Sequence, residues 1–127
     1  MPQENVDVVR SFLSAFHAGD QDRWVALLSP DVVIVEAREF PGATDRYGRD
    51  AAVAAIADWG LAWSEMSFAP DVFEEHGARV LAIGNMHMRG EGTGMELESP
   101  AAVWFTIADG AIERVEFYLD VEEGRRR

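Results

Sequence analysis

Residues 95–119 read MELESPAAVWFTIADGAIERVEFYL. Two runs rich in β-branched and aromatic side chains flank Asp109-Gly110, a dipeptide suited to positive φ at both centres of a tight hairpin turn. The pattern predicts strands over 95–107 and 111–119. Toward the N-terminus, residues 79–89 and 67–74 have the same character, and turn chemistry at His76-Gly77 and at the glycine-rich 90–94 separates the runs. Four strands joined by short turns make an antiparallel meander. The segment Gly90-Glu91-Gly92-Thr93-Gly94 opens a strand and not a helix, so it lacks the aligned N–H groups that cradle phosphate and reads as a hairpin.

The first half has a different period. Val6, Val9, Phe12, Leu13 and Phe16 recur at helical spacing until Ala18-Gly19-Asp20, where glycine suits a helix C-terminus. Asp20 or Asp22 can cap a short second helix carrying Trp24, Leu27 and Leu28, expected to end at Ser29-Pro30-Asp31. Val32 to Val35 then forms a strand leading into Glu36, and residues 37–50 read as a loop. A third helix is predicted over 49–63, with Ala52, Ile56, Trp59 and Trp63 on one stripe facing the interior. Helices first and strands afterwards, with no internal repeat, predict an α+β domain in which three N-terminal helices pack on a curved antiparallel sheet.

At 127 residues the chain suits one core, so residues 1–127 are read as a single domain, with 121–127 as a flexible tail that ends in Arg125-Arg126-Arg127. A net charge of -12 repels phosphate backbones and anionic lipid, which disfavours nucleic-acid and membrane partners. There is no cysteine, hence neither a disulfide framework nor a thiolate site. No basic segment runs into a continuous apolar stretch, and the expected location is the cytoplasm. The histidines share no metal-ligand spacing with a carboxylate, so neither a metal site nor a cofactor is expected.

Residues 15–20, AFHAGD, together with Val25-Ala26-Leu27-Leu28, Asp31 to Glu36, Tyr47-Gly48-Arg49-Asp50-Ala51 and the closing Phe117-Tyr118-Leu119-Asp120, resemble the ketosteroid isomerases and SnoaL-like cyclases of the nuclear-transport-factor-2-like superfamily. The likeness covers nearly the whole chain and implies a cone-shaped fold around one apolar pocket. It places Glu36 at the isomerases' general-base position. Their oxyanion-donating tyrosine falls on Phe12 and their protonated aspartic acid near Val103, and neither residue can donate a hydrogen bond. Losing both donors argues against steroid-type isomerisation. The epoxide hydrolases' Arg and two carboxylates fall on Gly84, Met86 and Phe117, and the cyclases' acid/base aspartate falls near Phe117, so both sets are absent.

Glu36 is therefore the candidate catalytic residue. It is expected among apolar side chains with nothing charged or donating beside it; the alternative is a strand-end carboxylate facing solvent or the adjacent loop. The candidate ligand-binding residues are Phe12, Phe16, Tyr47, Trp59, Trp63, Met86, Met88, Val103, Phe105 and Phe117. Tyr47, in the Asp45-Arg46-Tyr47 group before the third helix, would donate to a ligand or pack at the core edge. His87 alternates away from Met86 and Met88 to the outer sheet surface, His17 sits at a helix end near the dipole, and His76 adjoins a turn. Three functions fit. One is a cofactor-independent isomerase, cyclase or lyase acting on a hydrophobic carbonyl or polycyclic compound with Glu36 as general base. Another is a carrier or sensor of a small apolar molecule. The third is a dimerisation module, with a homodimer formed through an outer face bearing Trp104, Tyr118 and His87.

Overall fold

The computed structural model describes residues 2–40 and 42–127. Helix α1 (Pro2–His17) ends where Asp20 N–H reaches back to Ala15 O at 2.9 Å around Gly19, whose φ of 71° is the left-handed turn that lets the last carbonyls be satisfied. Asp20 then caps α2 (Gln21–Ala26), its side chain accepting from Arg23 N. Strand β1 (Leu28–Val35) starts earlier than expected. Leu28 belongs to the sheet and not to the second helix, because it pairs with Ile112; a register irregularity before Val33 accommodates Pro30.

The presumed loop contains a short strand, β2 (Asp45–Tyr47), antiparallel to β1. Helix α3 (Arg49–Ala62) follows. The strand expected at Val32 to Val35 and this second, short one thus separate α2 from α3. Trp63 leaves the helix in extended conformation and opens β3 (Trp63–His76), so it sits on a strand and not on the α3 stripe. Strands β4 (Arg79–Gly90), β5 (Glu96–Ala108) and β6 (Ala111–Tyr118) complete the antiparallel meander. Asp109 and Gly110 have φ of 52° and 77°, the pair of positive values that a tight hairpin of matching twist requires. The one parallel pairing, β1 against β6, closes the order β2-β1-β6-β5-β4-β3 into a single open six-stranded sheet.

Alternation sorts the sheet into two faces. Val80, Ala82, Met86 and Met88 of β4 join Val103, Phe105 and Ile107 of β5 in the main core, covered by α1, α2 and α3. Leu81, Ala102 and Trp104 form a smaller cluster on the opposite face. It is covered by α4 (Val121–Arg126), which overturns the flexible tail expected for 121–127. Asp120 caps this helix, Gly124 is buried, Trp104 Nε1 donates to Gly124 O at 2.6 Å, and Arg125 pairs with Glu74 at 2.7 Å. Trp104 is consequently 4% exposed, with the Arg79 guanidinium 3.9 Å over its ring, and cannot serve as a contact surface for a second copy. His87 does face outward, its Nδ1 3.2 Å from Glu98 Oε1. Among the described residues no helix is long and apolar enough to cross a membrane.

His17 does more than sit near a dipole. Its Nε2 accepts from the amide of Phe68 at 3.2 Å, on the strand that forms one edge of the sheet. Partial withdrawal of the ring from water holds its pKa below the ordinary value, and an accepting nitrogen must be unprotonated.

Two outcomes are expected. Between the lowered pKa of His17 and about 6.5, the unfolded chain binds the extra proton, so stability rises with pH there and levels off above. Urea unfolding of wild type and His17→Gln across pH 5 to 8 should show this increment only in the wild type. Gly124→Ala would bring a Cβ to 2.7 Å from that of Ala102, and the same unfolding measurement should show a loss of about 1–3 kcal/mol from overpacking under α4.

Candidate functional site

The site lies where β1 ends. Val32 and Ile34 point into the main core, so Glu36, two residues further on, continues that face. It is 7% exposed and is the one buried charged residue among those described. Its surroundings correct the expectation of an unsupported anion. Oε2 accepts from Trp59 Nε1 at 2.6 Å, Oε1 accepts from the Thr44 amide at 3.0 Å, and Arg46 Nε lies 3.7 Å from Oε1. Two directed N–H donors and a cation offset part of the cost of taking the carboxylate out of water.

Arg46 reaches this position through strand register. It pairs with Ile34, which faces inward, whereas Tyr47 pairs with Val33 on the other face. Tyr47 is accordingly 68% exposed, its hydroxyl 3.5 Å from Asp45, and lines neither cavity described below; its expected ligand role is not supported. The guanidinium also stands 3.5 Å from Asp58 of α3, giving a chain Glu36, Arg46, Asp58 across three elements. Helix α3 is anchored independently, since Arg49 donates through Nε and Nη2 to Leu28 O at 2.9 and 2.6 Å. Its buried Ala52 and Ala55 let it approach the sheet closely enough for Trp59 to reach Glu36.

Two adjoining cavities share Trp59, Met66, Met86 and Phe117. The inner one, about 70 Å³, is walled by Phe12, Phe16, Trp24, Val103 and Phe105 among others. It is small because an aromatic cluster occupies much of the space: Phe12 meets Trp24 and Phe105 edge-on at 6.3 and 6.1 Å. The outer one, about 270 Å³, is lined by Glu36, Arg46, Asp58, Trp63 and Met88 beside the shared residues. Of the ligand-binding candidates, Phe12, Phe16, Val103 and Phe105 thus line the inner cavity, Trp63 and Met88 the outer, and Trp59, Met86 and Phe117 both. Arg46 and Asp58 were missed as site residues. The only signal for Arg46 was alternation within a three-residue strand that the surrounding glycine, proline and charges disguised as loop.

The open six-stranded sheet with helices over its inner face is the nuclear-transport-factor-2-like fold. Within it, the chain belongs to the SnoaL-like domain family, whose model matches residues 9–115. An NTF2-like protein of unknown function from Burkholderia pseudomallei K96243 is 25% identical over 97% of this chain and 95% of its own, with a TM-score of 0.84. An NTF2-like protein from Burkholderia xenovorans LB400 is 26% identical, covering 99% and 96%, with a TM-score of 0.83. A candidate polyketide cyclase from Pseudomonas putida KT2440 is 25% identical, covering 93% and 92%, with a TM-score of 0.79. No curated protein matches the chain significantly.

Trp59→Phe keeps an aromatic ring for the edge contact with Phe117, 6.0 Å between centroids, but removes the donor to Glu36. Leaving a buried carboxylate oxygen unsatisfied should cost about 1–3 kcal/mol, read from the urea unfolding midpoint.

Proposed function

We propose that this protein binds a small apolar carbonyl compound in the outer cavity and moves a proton on it with Glu36, in the manner of a cofactor-independent isomerase, cyclase or lyase. The observation that carries this reading is a buried carboxylate, its direction set by the Trp59 and Thr44 donors, at the wall of a cavity whose other lining is largely apolar apart from Arg46 and Asp58. Each Glu36 oxygen accepts one hydrogen bond, which leaves lone pairs able to receive a proton. A base held in one direction beside apolar walls suits proton abstraction from carbon. Membership of the SnoaL-like family and the similarity to a candidate polyketide cyclase support the same reaction class.

A carrier of an apolar ligand is the second reading, favoured by the inner cavity, where Phe12, Val103 and Phe105 offer no donor to a reacting oxygen. The homodimer expected from the sequence is a proposal of the same kind. With Trp104 covered by α4, it would use the outer strip where Arg89 meets Glu65 and Glu96 and His87 meets Glu98, a polar and salt-sensitive surface. A cytoplasmic setting for this cysteine-free chain belongs to the same reading.

The test uses 2-tetralone, a bicyclic ketone with protons on the carbon between its carbonyl and its ring. Wild-type protein in deuterated buffer should accelerate their exchange, followed by proton magnetic resonance, and Glu36→Gln should lower the rate by about 100-fold or more. Tetralone that quenches tryptophan emission but exchanges no faster than in buffer would replace the enzyme by the carrier.

A further inference from the structure

Removing a proton from the carbon beside a carbonyl places negative charge on the carbonyl oxygen, and that charge needs a donor. The walls at Phe12, Val103 and Phe117 have none. We propose that Arg46 is that donor, and that the site takes neutral apolar ketones whose reacting carbon is activated by a second group. This deepens the proton-transfer reading and rests on it.

The geometry of the guanidinium carries the inference. Arg49 closes on Leu28 O at 2.9 and 2.6 Å, and Arg89 on Glu96 at 2.6 Å. Arg46 does not. Glu36 at 3.7 Å and Asp58 at 3.5 Å hold it electrostatically, yet none of its side-chain N–H groups makes a hydrogen bond within the described residues; Nε is buried beside Glu36, so the donors left for a bound molecule are those of Nη1 and Nη2. A cation oriented by two carboxylates, unsaturated as a donor and lining the cavity that Glu36 lines, is placed to meet an oxygen of a bound molecule.

The charges suit a neutral substrate. Glu36 and Asp58 would repel a carboxylate or phosphate, whereas a ketone enters without opposing them. As the C–H bond breaks, the proton goes to a Glu36 oxygen, the C–H electron pair becomes the enolate double bond, and the carbonyl π pair moves onto oxygen. One negative charge leaves a neighbour of Arg46 and another appears beside it, so the guanidinium need not reorganise. The proton goes to a lone pair that Glu36 has free, and a carbon flanked by carbonyl and aryl or by two carbonyls releases it to a carboxylate more readily than a simple ketone does. Trp59, Trp63, Met86 and Met88 supply flat and adaptable walls for such a molecule.

The experiment is tetralone exchange by the full chain with Arg46→Gln, Arg46→Lys and Glu36→Gln. Arg46→Gln should lower kcat by about 100-fold while KM changes a few-fold at most, and Arg46→Lys should recover part of the loss as a point charge. If Glu36→Gln abolishes exchange but Arg46→Gln leaves kcat within twofold, or raises KM alone, the inference about Arg46 fails and the base reading stands. If Glu36→Gln exchanges as fast as wild type, the base reading fails first. A second measurement does not depend on Arg46→Gln folding. In Glu36→Gln, whose neutral amide stands for the protonated base, bound 2-naphthol should ionise at lower pH than in buffer, read from its naphtholate absorbance. Ionisation at higher pH than in buffer, as in an apolar pocket without a usable cation, overturns the proposal.

Discussion

The parallel pairing of β1 with β6 is the constraint on which the site depends. Val33, Ile34 and Val35 align with Arg114, Val115 and Glu116, and this register decides which side chains of the all-apolar run Val32 to Val35 enter the core. A slip of one residue would turn Ile34 and Glu36 to the other face. Because β2 is zipped to β1, the same register carries Arg46 inward and Tyr47 outward. Through Leu28, whose carbonyl Arg49 grips, it also sets where α3 starts and hence where Trp59 arrives.

Placing Glu36 there is not a way to gain stability. A buried ionic pair seldom repays its desolvation better than well-packed apolar residues of similar volume would. The chain nevertheless surrounds this carboxylate with an indole N–H, a backbone amide and a guanidinium drawn from α3, the segment before β2, and β2 itself. Such an arrangement fixes a charge in one orientation, and the outer cavity opens beside it. The inner cavity shows the opposite economy, with aromatic rings filling most of the space that the fold encloses.

The outer face of the sheet has two regimes. Over β5 and β6 the apolar residues are sealed by the chain's own C-terminal helix, with the indole of Trp104 hydrogen-bonded to a carbonyl of α4. Over β3, β4 and β5 near the glycine-rich hairpin, cross-strand ion pairs take over, and the aromatic face imagined for a partner is not free. Seven residues that look like a solvated basic tail form a lid because Asp120 caps them and Gly124 fits against Ala102.

Local chemistry was enough to specify the α+β class, the first helix and its glycine terminus, the four-strand meander and the Asp109-Gly110 turn, since each depends on residues near one another in sequence. It also named part of the apolar lining of the two cavities, Phe12, Trp59 and Met86 among it, but not Met66, Trp24 or Phe40. The parallel β1–β6 pairing could not be read, because Val32 to Val35 is apolar at every position and carries no alternation to declare a face. β2 hid among turn-forming residues, so Arg46 and Tyr47 were indistinguishable until a partner strand assigned their sides. The environment of Glu36 was likewise a tertiary decision: Trp59 lies 23 residues away, and only the docking of α3 on the sheet brings its N–H to the carboxylate.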